Sequence, residues 1–483
     1  MQAAAVLLAA VALGASPHAR YGAPPAQALR AVTRMAATAS EGASGASVAA
    51  APWKWRRVAV HVTRGCELRL RLLADERAPF SGAVVFQEDV QRVSYDAEPG
   101  TVAAIFGPGD KAACAIGMYD PLSPLRLRVV AHGPTASPLD SEWVRAAIAT
   151  AVAERDALFD TNSRAATTGY RLVNGENDGL PGLVVDRYGN TVVVKVYGSA
   201  WLPWMESVVG ALQGACGSFE LERVVLLLSR EISRLPEATR LGLAHGDVLA
   251  GAPLDGELGF LENGIGFGAD PVQGQKTGFF LDQRDNRLAV RALAAASPGC
   301  RVLNVFSYTG GFSLYAADGG AGQVTSVDLA RAAIASVESN WARNAHRPKI
   351  AAARHEGIVM DAFEAMEQLR KAGRTFDLVI VDPPAFAQRE RHVEAALAAY
   401  GKLAKLAVQL TAERGHVVLA SCSSRVSADA FHGAVEKAAQ QAGRPLDVLK
   451  RTGHACDHPV RAAGCTPYLK ATFARPASST RRR

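Results

Sequence analysis

No stretch of this chain reaches the ~18 to 20 apolar residues that a helix needs to cross a bilayer. The longest, Ala3 to Leu13, has only the length of a signal-type apolar region, so no membrane partner is expected. The cysteines Cys66, Cys114, Cys216, Cys300, Cys422, Cys456 and Cys465 contain no C-x-x-C pair, which speaks against a zinc ribbon or a disulfide framework. His454, Cys456, His458 and Cys465 lie near one another, but their spacing is not a standard zinc pattern, so no metal is expected. Acids are almost missing from residues 1–52, where Arg20, Arg30 and Arg34 face only Glu41 amid Ala, Ser and Gly. That balance is typical of an organellar transit segment, plastid or mitochondrial, and these residues are set outside the fold. If translation starts at Met35, the expectation becomes a cytoplasmic protein. What is present is globular in composition: 483 residues, 49% apolar and 20% charged, long enough for two or three cores.

The chain is organised around Val302-Leu-Asn-Val-Phe-Ser-Tyr-Thr-Gly-Gly-Phe312, its following helix, and Val324-Thr-Ser-Val-Asp328. A short β-branched run enters a Gly-Gly turn, a helix leaves it, and a second strand ends on a carboxylate. This is the opening of a doubly wound nucleotide-binding sheet. Gly310 and Gly311 allow close backbone approach to a ligand, and Asp328 is placed to accept both hydroxyls of a ribose. These features fit a dinucleotide or S-adenosylmethionine, but the turn lacks the G-x-G-x-x-G pattern of a pyrophosphate site. Further on, Phe376 to Val381 is another buried strand and ends in Asp382-Pro-Pro-Ala-Phe386, a rigid turn with a carboxylate and an aromatic face. A flipped-out base needs such a place, although an ordinary strand-end turn reads the same way. A third strand, His416 to Ser421, ends at Cys422. A ribose acid, a base platform and a thiol therefore converge on one crevice.

With these residues in place, residues from about Trp53 to Phe473 resemble the large-subunit ribosomal RNA methyltransferase I family, S-adenosylmethionine-dependent enzymes that make 5-methylcytosine. The matching runs are Arg171 to Tyr188, Lys276-Thr-Gly-Phe-Phe-Leu-Asp-Gln-Arg-Asp-Asn-Arg287, Asn304 to Ser313, Asp382 to Phe386 and Ser421-Cys-Ser423. The resemblance implies an α/β class I methyltransferase sheet at residues 266–476. Before it come a small β-barrel PUA-like domain at 53–135 and an α+β middle domain at 136–265, and a basic tail follows at 477–483. It implies that Phe306, Tyr308, Thr309, Gly310, Gly311 and Asp328 bind the cofactor. Asp361 would meet its adenine amino group, and Gln283 and Arg284 would supply polar contacts from a first helix beginning in Thr277 to Arg284. Asp382, Pro383, Pro384 and Phe386 would hold the base, with Cys422 as nucleophile. Arg171, Glu176, Asp178 and Asp186 match a family motif and are expected to touch RNA or to brace the catalytic domain.

Net charge is uneven. The leader, residues 53–135 and the tail carry the whole of the +7, leaving 136–480 neutral. RNA must then be held through local patches, and the first candidate is Lys54, Arg56, Arg57, Arg64, Arg69, Arg71 and Arg77; a solvated β-surface is the plainer reading. The barrel is expected from short strands at Val58–Val62, Ser81–Phe86, Val102–Phe106, Cys114–Tyr119 and Leu125–Val130, punctuated by Pro-Gly turns. Arg77-Ala-Pro-Phe80 departs from the family's His-Pro-Trp. Helices Ser141 to Asn162 and Pro203 to Gly214, and a hairpin around Asn263-Gly264, are expected to complete the middle domain. A thiolate adding to carbon 6 would make carbon 5 of cytosine nucleophilic, which gives Cys422 its role. Two other readings stay open: transfer to an exocyclic amine, which needs no nucleophile, and a non-catalytic RNA-binding assembly factor. The oligomeric state is open, a homodimer included.

Overall fold

The computed structural model describes residues 57–74, 78, 80–133, 139–159 and 166–478. The leader, Lys54, Arg56, Arg77 and the Arg481–Arg483 tail lie outside the described residues. Among the described residues no helix is long and apolar enough to cross a membrane.

The first domain is a six-stranded mixed sheet with Val84–Phe86 at one edge and Val90–Val93 at the other. Strand Val58–Val62 runs parallel to Val102–Phe106, while Ala115–Tyr119 and Leu125–His132 extend the ladder antiparallel. Beside the expected strands stands a helix that the strand reading missed, Arg64–Ala74. It buries Cys66, Glu67 and Leu70 on one face. Gly107 leaves room for Glu67, whose carboxyl carbon would sit 2.3 Å from any Cβ there.

The middle domain is a five-stranded sheet in the spatial order Val248–Gly251, Arg223–Leu228, Thr191–Val196, Leu183–Tyr188, Gly169–Asn174. One face packs against helices Ser141–Asp156 and Met205–Ala215 around buried Trp201. Asp140 caps the first of these, accepting from the Trp143 amide at 2.9 Å. The hairpin Leu258–Glu262/Ile265–Ala269 lies between this domain and the next. Its Phe260 meets Tyr188 edge-on at 5.1 Å and the Leu261 amide donates to Thr168. Phe260 and Phe267 also share a core with Phe279 and Tyr315 of the catalytic domain, and Asn340 and Asn344 bind the hairpin backbone.

The catalytic domain carries seven strands: β1 Arg301–Val305, β2 Gln323–Asp328, β3 Arg354–Val359, β4 Phe376–Val381, β5 Thr411–Ser421, β6 Leu446–Thr452 and β7 Lys470–Pro476. Their order is β3-β2-β1-β4-β5-β7-β6, with β1 to β5 parallel and β7 antiparallel to both neighbours. Helices cover both faces, so the central strands read as unbroken apolar runs. Within β4, Leu378 and Ile380 join the core under helices Arg284–Ala295 and Gly311–Gly319. Val379 and Val381 join the opposite core, under Val393–Leu410 and Ala428–Gln441. The strand order reverses between β1 and β4, and the crevice for a ligand lies outside their carboxyl ends.

Residues 453–463, between β6 and β7, tie the three domains together. The Asp457 carboxylate accepts from the Arg171 amide (2.8 Å) and both Arg284 terminal nitrogens (2.6 and 3.0 Å). Arg461 reaches Asp178 at 2.6 Å, and Ala462–Ala463 pairs in parallel with Phe80–Ser81 of the first domain.

Candidate active site

After β1 the chain turns through Phe306 (φ 60°), Tyr308 (φ 46°) and Gly310 (φ 82°) before helix Gly311–Gly319. Non-glycine residues rarely adopt positive φ, and strain of this kind gathers at functional sites. Of the four such residues among those described, Phe306, Tyr308 and Lys276 all lie here. Asp328 holds the turn: its carboxylate accepts from the Tyr308 amide at 2.9 Å and the Ala330 amide at 3.0 Å. Tyr308 Oη in turn donates to the Gly278 carbonyl (3.1 Å) and accepts from the Gln275 amide (3.0 Å), clasping the loop that carries Lys276. The glycines answer first to the protein itself. A Cβ on Gly310 would meet Val337 Cγ1 at 2.7 Å, and one on Gly311 would meet Arg287 Cδ at 2.9 Å, so ligand approach is not what first requires them. The turn fits a polar adenosyl group on independent grounds. Ser307 Oγ and Thr309 Oγ1 are buried here without a hydrogen-bond partner, which is costly unless a ligand completes them.

Two neighbouring loops follow β4 and β5. Cys422 Sγ lies 3.8 Å from the Pro383 carbonyl, and Ser423 Oγ accepts from the Ala387 amide at 3.5 Å. Tyr400 Oη bridges Ser421 and Ser423 at 2.9 and 2.8 Å. Phe386 packs between Phe306 and Tyr400, with ring centroids 6.5 and 5.1 Å away, while Pro384 is exposed. Burial, and next the Asp282 carboxylate, push Asp382 up to about 7. Burial, then Asp382, push the Cys422 thiol up to about 12. Burial also works to raise Asp282, but the Lys276 ammonium at 2.6 Å leads the groups that bring its carboxyl well below the usual range. Lys276 lies 4.3 Å from the Phe280 ring centroid, and its carbonyl accepts from Lys195 of the middle domain at 2.7 Å.

Several expected residues are employed elsewhere. Residues Thr277 to Phe280 form a loop and Leu281–Gln283 a 3-10 turn, so the helix begins only at Arg284. Gln283 is buried and donates to Asp382 Oδ2 at 2.9 Å, with Asn286 fixing its amide at 2.6 Å. Arg284, 2% exposed, is bidentate to Asp457 and lies 4.4 Å from the Phe159 ring centroid. It joins the domains, and its guanidinium is already engaged by Asp457. Asp361 caps helix Ala362–Lys371, accepting from the Phe363 and Glu364 amides at 2.9 and 3.2 Å. Arg171 with Asp186 (2.8 Å), Asp178 with Arg155 (2.6 Å) and Glu176 with Arg128 (3.3 Å) are bracing pairs. Within the basic cluster, Arg57 is exposed. Arg64, Arg69 and Arg71 share one helix, and each has an acid: Glu67 at 2.8 Å, Asp89, and Glu67 with Asp110 at 2.7 and 2.9 Å. Sequence reasoning missed Asp282, Tyr468 and Lys470, although Asp282 stood inside a quoted motif; Tyr468 Oη donates to Asp282 at 2.7 Å.

A family model described as S-adenosylmethionine-dependent methyltransferase matches residues 241–455. The ribosomal RNA large subunit methyltransferase of Deinococcus radiodurans is 42% identical over 86% of this chain and 97% of its own length. The ribosomal RNA large subunit methyltransferase I of Shewanella amazonensis is 36% identical over 74% and 86%. The crystal structure of SMU.776, complexed with SAH, superposes with a TM-score of 0.69 at 24% identity over 86% of this chain and 99% of that one, which shows the shared fold. With identity at this level over most of both chains, the protein belongs to the ribosomal RNA large subunit methyltransferase I family, and its cofactor is S-adenosylmethionine.

Proposed function

We propose that this enzyme methylates carbon 5 of a cytosine in large-subunit ribosomal RNA through a covalent Cys422 intermediate. The observation that carries the reading is the placement of Cys422 Sγ 3.8 Å from the carbonyl of Pro383, in the turn that bears Asp382. Thiol and base platform therefore face one space. The relatives' names supply the RNA class. The PUA-like reading of the first domain, and an organellar site of action from the Arg-rich leader, belong to the same proposal.

Asp382 faces the Watson–Crick edge of the extruded base, held in aim by Gln283. Pro383, Pro384 and Phe386 hold the ring. The Cys422 thiolate forms a bond to carbon 6, and the displaced electron pair moves to carbon 5. S-adenosylmethionine, when bound, supplies the electrophilic methyl group. Loss of the carbon 5 proton to a base then restores the double bond as the sulfur–carbon 6 bond breaks.

Transfer to an exocyclic amine is a second reading, favoured by one observation: burial pushes the Cys422 thiol up to about 12, and an amine acceptor needs no thiolate. RNA carrying 5-fluorocytidine at the target separates the two, because its carbon 5 has no proton to lose. A denaturant-resistant Cys422–RNA complex is expected, and Cys422→Ala should abolish it together with methyl transfer while sparing cofactor binding. A Cys422→Ala enzyme that methylates RNA at near wild-type rate refutes carbon 5 chemistry and leaves the amine.

A further inference from the structure

Ser421 faces Lys470 across the antiparallel β5–β7 ladder, which sets the lysine beside the Cys422 loop. The side chain is 4% exposed, and its Nζ donates to the carbonyls of Ser423 (2.6 Å), Val426 and Tyr468 (3.2 Å). Three acceptors match the three protons of an ammonium. A neutral amine would turn its lone pair on one of those oxygens, so the cage selects the charged form. Among the described residues no carboxylate acts on this ammonium, and the titratable group whose charge favours it is Cys422. A buried cation without an anion is expensive to maintain. It makes sense where the anion is formed during the reaction.

We propose that Lys470 is the buried counter-cation of the Cys422 thiolate, a positioning residue that makes ionisation of the thiol possible while shaping the loop around it. The inference rests on the carbon 5 reading, since only addition to carbon 6 needs the thiolate. Every other charged group facing Cys422 is either of the wrong sign or already engaged. Asp382, at the end of β4, and Asp282 oppose a thiolate. Lys276 favours it, but its charge is met by Asp282 at 2.6 Å. Tyr400 and Tyr468 are phenols that burial keeps protonated. Burial holds Lys470 itself down to about 8, so it remains mostly charged at neutral pH.

The test is the pH dependence of Cys422 alkylation by iodoacetamide in the full-length enzyme. The thiol proton passes to solvent, the sulfur–carbon bond forms and iodide leaves. Cys456 is exposed, so the Cys422 peptide is followed by mass spectrometry. Lys470→Met and Lys470→Gln both remove the charge, and the glutamine keeps N–H donors for the loop carbonyls. Both should slow alkylation about tenfold near pH 7, where Lys470 is charged, and the difference should fade above about pH 8 as the lysine loses its proton, with Lys470→Arg restoring most of the rate. Unchanged S-adenosylmethionine affinity in the glutamine variant shows that the domain is intact. If Lys470→Gln reacts at the wild-type rate near pH 7, the role is structural and the proposal is overturned. Absence of a 5-fluorocytidine adduct in the wild type would instead sink the carbon 5 reading, whatever the alkylation profile.

Discussion

Replacing Asp382 with asparagine should stabilise the catalytic domain near pH 8 and leave it almost unchanged near pH 4. In the folded protein burial, and then Asp282, raise this carboxyl from 3.8 to about 7. An unfolded chain ionises near the lower value. Between the two, the native state keeps a proton that the unfolded state has released, so stability falls as pH rises through this window and the loss is complete above about 7. The gap corresponds to an upper limit of about 4 kcal/mol at 1.36 kcal/mol per pH unit. The side chain keeps some access to solvent, and screening brings the expected gain to about 2 kcal/mol. Asparagine keeps the shape and can still accept from Gln283. For a domain of this size the thermal midpoint should rise by about 4–8 °C near pH 8. Melting of wild type and Asp382→Asn without ligand near pH 4, 6 and 8 reads the effect. An equal difference at all three values, or none near pH 8, would refute the account of a destabilising acid kept for chemistry.

Asp328→Ala should weaken S-adenosylmethionine by ~1.5 to 3 kcal/mol in calorimetry, because hydrogen bonds to a charged acceptor are lost; unchanged affinity would remove Asp328 from the ribose. Arg284→Met leaves Asp457 buried without its guanidinium and should cost about 3 kcal/mol in urea unfolding, with little change in cofactor affinity if Arg284 is a brace. Joint replacement of Arg64, Arg69 and Arg71 by alanine should lower the logarithmic salt slope of RNA binding by far less than the ~2.7 expected for three phosphate contacts, since acids already neutralise them. The full drop would make this helix the RNA platform.

The catalytic sheet was legible because its strands are buried on both faces and end on chemically distinctive residues, Asp328, Asp382 and Cys422. Directions of side chains were not. One 3-10 turn, Leu281–Gln283, sends Gln283 toward Asp382 while its neighbour Arg284 enters the domain interface. No residue pattern announces that split. Helix Arg64–Ala74 was invisible for another reason: it buries Glu67, a charge satisfied by Arg64 and Arg71, so it offers little apolar periodicity to read. Lys470 looked like an ordinary strand residue, since its surroundings come from cross-strand register with Ser421 and from a loop far away in sequence.

The segment 453–463 ends a few residues before Tyr468 and Lys470, and it is bonded to all three domains. These bonds set, on the proposed reading, the distance from the outer face of the first domain to Cys422, as in a caliper with a locked jaw. On the proposed reading, an RNA gripped at that face can offer only nucleotides lying one set span away. Choice of target then becomes a matter of length and fold in the RNA rather than of bases read in sequence. Shortening or lengthening a stem between the gripped element and the target cytosine would silence the reaction without altering either end.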